Sequence, residues 1–400
     1  MKIAQIAPLM ESVPPRLYGG TERIVSYLTE ELVAKGHEVT LFASGDSLTS
    51  ARFVSCAVQA LRLNPAVRDP IPYYMLMLDK VRRTASQFDI MHFHIEQFHF
   101  PVFHDRATRT LTTLHGRQDL PDLEFLYRGF PDMPLVRMST AQRQPSTGNF
   151  VATVPHGIPR DLHAPTWVAG LGSYLAFLGR ISPEKRVDRA IAIARAVGLP
   201  LKIAAKVDRV DEEYFKTEIA PLLSQPGVEF VGEIDERQKT RFLGDACALL
   251  FPIDWPEPFG LVMIEAMACG TPVLAFRRGS VSEVVDDGVT GYVVDSVEEA
   301  IFKVEYVLSL DRAQVRRRFE QRFTAERMAQ DYLKLYAMLI GNIRAGDRAH
   351  PVVRPNHGLE NLSPNGVCPG HPGIDSEGDF RPTASAASLS PSLAEPDPNA

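Results

Sequence analysis

Asp254-Trp255-Pro256-Glu257-Pro258-Phe259-Gly260-Leu261-Val262-Met263-Ile264-Glu265-Ala266-Met267-Ala268-Cys269-Gly270 is the stretch whose reading decides the fold. A residue that precedes proline is pushed out of helical space, so Trp255 and Glu257 stay extended and Glu257 sits in a loop. From Phe259 to Cys269 every residue except Glu265 is apolar or glycine. That pattern predicts a helix buried nearly all round, carrying one carboxylate inside it. Such a carboxylate is costly unless something hydrogen-bonds it. The helix start, expected at Phe259, Gly260 and Leu261, leaves backbone amides without intrahelical partners, a ready site for phosphate or for hydroxyls.

Outward from this unit the chain alternates short apolar runs with helical periodicity, the rhythm of parallel α/β sheets. Lys2 to Ala7 reads as the first strand, followed by Gly19-Gly20-Thr21-Glu22 opening a helix with Thr21 suited to the N-cap and Gly36 closing it. Glycines there let a backbone approach a phosphate. The sequence lacks Gly-x-Gly-x-x-Gly after this strand, which disfavours a nicotinamide dehydrogenase. Strands are also expected at residues 37–43, 89–94, 110–114, 135–139 and 151–155, with a helix near 74–88. His115 falls at the C-terminal end of one of them, where open parallel sheets bind ligands. Residues 46–72 and 117–134 read as loops.

A polar segment at 161–172 reads as a hinge, and a second series of strands and helices starts at Tyr174. Directly after its first strand comes Gly179-Arg180-Ile181-Ser182-Pro183-Glu184-Lys185, in which Ser182 can cap a helix that Pro183 begins. Arg180 and Lys185 flank that start, and two cations there can neutralise a diphosphate. The predicted organisation is therefore two α/β domains, 1–162 and 163–323, and a last helix near 324–342. A Pro/Ser/Gly-rich tail at 343–400 is expected to be disordered.

Taken together, the two glutamates flanking Pro-Phe-Gly, the glycine pair after the first strand and Gly-Arg-x-x-x-x-Lys resemble the signature of glycosyltransferase family 4, covering about residues 1–342. The resemblance implies the GT-B fold, two Rossmann-like domains facing a cleft, with the last helix crossing back onto the first. It also implies retaining transfer of a hexose from a nucleotide-diphosphate sugar, a UDP-sugar above all, to an acceptor hydroxyl, with no metal or other cofactor. Carried over by motif, Glu257 and His115 hold the donor sugar, Arg180 and Lys185 the diphosphate, and Glu265 the ribose. Gly19, Gly20, Phe259, Gly260 and Leu261 supply close backbone contacts, and the loop after Gly232 holds the base. Where the family commonly has Asn, this chain has His156. Expected partners are the donor and a carbohydrate, lipid-linked or small-molecule acceptor.

Composition agrees with an enzyme of this kind. The chain has 400 residues, 45% hydrophobic and 23% charged, enough for two cores. A net charge of −6 with mixed signs gives no sign of nucleic-acid binding. No stretch has the look of a signal peptide or a membrane span, and four scattered cysteines fit a reducing compartment, so a cytoplasmic protein is expected, with peripheral membrane contact left open. His92, His94, Glu96, His99 and His104 lie close in sequence, but cleft-lining or core histidines explain them better than a metal does. No Asp-x-Asp metal clamp stands out. Two other readings stay open, a sugar-nucleotide epimerase on a similar fold and a binding protein that kept the fold without activity.

Overall fold

The computed structural model describes residues 1–142, 147–167 and 174–346. Among them, two parallel sheets form. The first contains β1 (Lys2–Ile6), β2 (Glu38–Ser44), β3 (Arg52–Ala57), β4 (Ile90–Phe93), β5 (Thr110–Thr113), β6 (Pro134–Arg137) and β7 (Asn149–Thr153), in the order 3-2-1-4-5-6-7. The second contains β8 (Leu175–Ile181), β9 (Leu201–Val207), β10 (Val228–Gly232), β11 (Ala248–Phe251), β12 (Val273–Phe276) and β13 (Gly291–Val294), in the order 10-9-8-11-12-13. In each, the order reverses beside the strand that opens the domain, β1 or β8. That reversal is where an open α/β sheet leaves a crevice at its strand C-termini.

Apolar runs became strands because both sheet faces are covered. β1 buries all but its first residue, and β4, β5, β11 and β12 are buried throughout. β13, paired with β12 alone, is an edge strand of the second sheet. β3 and the helix Asp122–Gly129 were both read as loop. Each is short and largely unburied, with Ala57 the one buried residue of β3 and Tyr127 that of the helix. Residues 143–146, which include the Arg of a Gln142-Arg143 element, and the tail from 347 onward lie outside the described residues. The last helix, Ala325–Gly346, runs four residues past its expected end.

That helix crosses to the first sheet. Met328, Tyr332, Leu335, Tyr336 and Leu339 pack with Ile3, Ile24, Leu28 and Ile90, so the chain's end completes the core in which it begins. Its start is fixed by backbone: Ile158 N–H donates to Phe323 O, and Ala325 N–H to Ile158 O. A Cβ on Gly157 would lie 2.1 Å from Thr324 O, so only glycine allows this approach. No helix among the described residues is long and apolar enough to cross a membrane.

Removing the fully buried Met328 side chain by Met328→Ala is expected to cost about 2–5 kcal/mol. Met338→Ala, on the exposed face of the same helix, should stay within about 0.5 kcal/mol. Urea denaturation of the two variants checks the difference, and equal midpoints would contradict this packing.

Candidate active site

A cavity of about 830 Å³ lies at the C-terminal ends of both sheets, walled by residues of both domains. Of the residues predicted from sequence, Gly19, Gly20, His115, Arg180, Lys185, Glu257, Phe259, Gly260, Leu261 and Glu265 all line it. Gly232 does not. It ends β10 with φ +77°, and the turn it makes brings the next residues, Glu233 and Ile234, to the wall instead.

Local backbone places each group. The helix after the glycine pair begins at Gly20, two residues before the predicted start, so Thr21 is not its cap. Gly19 holds that place at φ +150°, where a Cβ would come within 2.8 Å of Pro15. No side chain caps this helix, which leaves its amides open toward the cavity. Gly179 and Arg180 belong to β8 itself rather than to a following loop, and Ser182 caps nothing: its Oγ has no partner among the described residues. The short turn Pro183–Lys185 and Arg186, at φ +53°, lie between β8 and the helix Val187–Val197 and carry Lys185 into the cleft. The central helix spans Leu261–Ala268, two residues later than predicted, because Gly260 at φ +79° precedes it.

Glu257 is almost buried, and its Oε2 accepts from Lys185 Nζ at 2.6 Å and from Trp255 Nε1 at 2.9 Å. Lys185 Nζ also stands 4.9 Å from the Trp255 ring centre, a cation–π contact. The Glu257 backbone is gripped by Gly279 and Ser280, which the sequence did not single out. A Cβ on Gly279 would meet Glu257 O at 2.3 Å, and Ser280 N–H donates to that oxygen at 2.9 Å. Arg180 is ringed by acids: it pairs with Glu184 and lies 3.6 Å from both Asp208 and Asp211.

The buried carboxylate of Glu265 finds its partner in Lys239, at 2.8 Å. Lys239 also reaches Glu236 at 3.4 Å, and Glu236 pairs with Arg23 of the first domain and approaches His163 Nε2 at 3.2 Å. Burial pushes the Glu236 carboxyl up, but its His163, Lys239 and Arg23 neighbours outweigh this and hold it down at about 2. His163, Glu236 and Glu265 present ligand atoms within 4.8 Å of one another. Two cations already balance that group, which makes it an ion-pair chain more than a metal cradle.

His115 is half-buried on the first-domain wall, and burial pushes its imidazole down to about 3, so it is neutral. The loop that carries it is held by Glu96. This residue adopts a left-handed backbone, φ +52°, and its Oε1 accepts from the amides of His115 at 2.8 Å and Gly116 at 2.9 Å. Gln118 Nε2 donates to Oε2 at 3.2 Å. Burial raises the Glu96 carboxyl, against those three donors, to about 7. Sequence reasoning placed Glu96 only in a histidine-rich run, since its partners lie about twenty residues away.

Two family models match the chain, Glycosyltransferase Family 4 over residues 18–197 and Glycosyl transferases group 1 over residues 171–324. A phosphatidyl-myo-inositol mannosyltransferase of Mycobacterium leprae (strain TN) is 25% identical over 359 residues, 80% of this chain and 90% of the relative. Among solved structures, AviGT4, a glycosyltransferase involved in avilamycin A biosynthesis, superposes with a TM-score of 0.65 at 23% identity, over 85% of this chain and 98% of its own. A sucrose-phosphate synthase from Thermosynechococcus elongatus does so with a TM-score of 0.71 at 19% identity, over 85% and 99%.

The raised pKa of Glu96 has a signed consequence. Its folded value, about 7, exceeds the unperturbed 4.5. The stability it lends is therefore complete below the unfolded value and is lost as pH climbs through 7. The parent is expected to lose Tm between about pH 5 and pH 8, and Glu96→Gln to flatten that decline. An identical pH profile in both proteins would show that Glu96 does not titrate in this range.

Proposed function

Because the chain belongs to glycosyltransferase family 4 and has the GT-B fold, we propose that it moves a hexosyl group from a nucleotide-diphosphate sugar to an acceptor hydroxyl, with retention and without a metal ion. One observation carries this reading. Arg180, Lys185, Glu257, Glu265 and the uncapped helix start at Gly20 converge on a single cavity large enough for such a donor. Two cations with open helix amides form a diphosphate site, and carboxylates accept hydrogen bonds from ribose and sugar hydroxyls.

In this mechanism the bond between the anomeric carbon and the β-phosphate oxygen breaks, and the charge that develops on that oxygen is stabilised by Arg180, Lys185 and the amides near Gly20 and Gly260. Glu257 and His115 orient the sugar, and Glu265 takes the ribose. The acceptor oxygen bonds to the same face of the carbon, and its proton passes to the departing phosphate oxygen. Lys185 shifts part of its charge from Glu257 to the phosphate, which leaves Glu257 free to accept sugar hydroxyls. UDP-hexose is the first donor to test. The acceptor is a carbohydrate, a small molecule or a lipid-linked polyol, the last in keeping with the names of the mannosyltransferase relatives. A cytoplasmic location, where nucleotide sugars are available, belongs to the same reading.

Turnover of UDP-, GDP- and ADP-hexoses in chelator is the direct test, with the anomer of the product read by NMR. Arg180→Ala and Lys185→Ala are each expected to lower kcat/KM by about 10²–10³-fold, the usual loss of a charge-stabilising contact. Values within a few-fold of the parent would overturn the diphosphate assignment. Isomerised donor with no transferred sugar would instead indicate an epimerase.

A further inference from the structure

Behind His115 runs a buried chain of hydrogen bonds that the mechanism above does not use. His115 Nε2 lies 2.9 Å from His94 Nδ1, and His94 Nε2 lies 2.8 Å from Gln5 Oε1. Gln5 Nε2 donates to Tyr336 Oη at 3.2 Å, Tyr336 Oη meets His92 Nδ1 at 2.7 Å, and His92 Nε2 meets Thr113 Oγ1 at 2.8 Å. Thr113 Oγ1 then reaches Tyr332 Oη at 2.7 Å. Gln5, His92, Thr113 and Tyr336 are wholly buried, and His94 and Tyr332 nearly so.

Each imidazole in this chain is neutral, because burial drives both His92 and His94 well below the ordinary histidine value. A neutral imidazole has one N–H and one lone pair, so each link dictates the next. The Gln5 amide has two orientations, and they set opposite proton directions at its His94–His115 end. The lengths select one. A 3.2 Å contact suits N–H···O from an amide and is long for O–H···O, while 2.8 Å suits N–H···O into the amide oxygen. With Gln5 Oε1 facing His94, the proton of His94 is on Nε2 and its Nδ1 is bare. His115 must then donate from Nε2, which leaves its Nδ1 as a lone pair. That Nδ1 has no partner among the described residues, and His115 lines the cavity.

We propose that Gln5 and His94 are positioning residues that fix the tautomer of His115, so that its Nδ1 faces the donor sugar as a hydrogen-bond acceptor and never as a donor or a cation. This rests on the reading of the cavity as a hexosyl-donor site. There the lone pair accepts from a sugar hydroxyl, and the negative end of the ring dipole faces a carbon on which positive charge grows as the leaving group departs. A protonated His115 would oppose that charge. The buried chain prevents this by offering His115 Nε2 an acceptor and no ionised partner.

The test is the long-range 1H–15N spectrum of full-length protein with 15N-labelled histidine, in which His115 is assigned by its loss in His115→Gln. The expected spectrum of the parent shows His115 and His94 both protonated at Nε2 alone. A His115 proton on Nδ1 overturns the proposal, and this outcome is read in the parent protein, with His115→Gln used for assignment alone. In Gln5→Leu the His115 signals are expected to move toward a mixture of tautomers, with kcat lowered about 10–100-fold and donor KM within a few-fold. A folded Gln5→Leu protein with an unchanged tautomer also overturns it. Thr113→Val, which cuts the chain beyond Gln5, is expected to leave the His115 tautomer as in the parent. Because the tautomer is read without turnover, this proposal can fail while glycosyl transfer stands, and the converse.

Discussion

The contact on which the cleft depends is the 2.6 Å ion pair between Lys185 and Glu257. Neither partner is free to sit elsewhere. Glu257 is held between two prolines, its carbonyl is taken by Ser280, and its backbone is so close to Gly279 that no side chain fits there. Lys185 ends a one-turn helix and is followed by Arg186 in a left-handed conformation, a shape that a non-glycine residue adopts at some cost. Such a pair is a poor source of stability, since desolvating both charges costs about as much as their attraction returns. Its worth lies in what it keeps available. A charge that is already compensated can be shared with an arriving phosphate without first being stripped of water.

The same economy recurs at Arg180, ringed by Glu184, Asp208 and Asp211, and at Lys239, which neutralises Glu265. The Lys239 pair extends through Glu236 to Arg23 on the helix that follows the first strand, so Glu265 ends an ion chain joining both domains. Two further links cross the cleft. Ser139 Oγ donates to Pro258 O at 2.7 Å, and the amides of Thr140 and Ala141 donate to Glu283 at 2.8 and 2.6 Å. Pro258, next to Glu257, and Glu283 are thereby tied to the first domain, which is how a change at one sheet can bear on the position of the other.

What was legible in the sequence is what is local. The glutamate unit, the glycine pair and the Arg180/Lys185 step each fit within a few residues and declare themselves by proline, glycine and charge. Strands buried on both faces were equally plain. Partners across long separations were not: Lys239 for Glu265, Gly279 for Glu257 and Glu96 for the His115 loop have no signal of their own before the chain folds. Two helix starts were misplaced by two residues, because Gly19 and Gly260 at positive φ, not side-chain caps, set them. Peripheral elements such as β3 escaped because an exposed edge needs little hydrophobic patterning.

The two walls of the cleft differ in physical character, and His156 marks their boundary. The second domain offers ion pairs, while the first sets neutral imidazoles beside charged residues such as Glu11, Arg23 and Arg62. His156, in the place where the family commonly has Asn, stacks 5.2 Å from His115 at 21° and meets Phe259 edge-on at 5.0 Å. Burial drives its ring well below the ordinary histidine value, so it adds shape to the cleft and no charge. An Asn there would have brought a polar amide against Phe259, whereas an imidazole presents a flat face to both neighbours. The histidine therefore extends the row of neutral rings up to the helix start that follows Glu257. On the proposed reading, a donor sugar would face these rings while its diphosphate met Arg180 and Lys185 opposite.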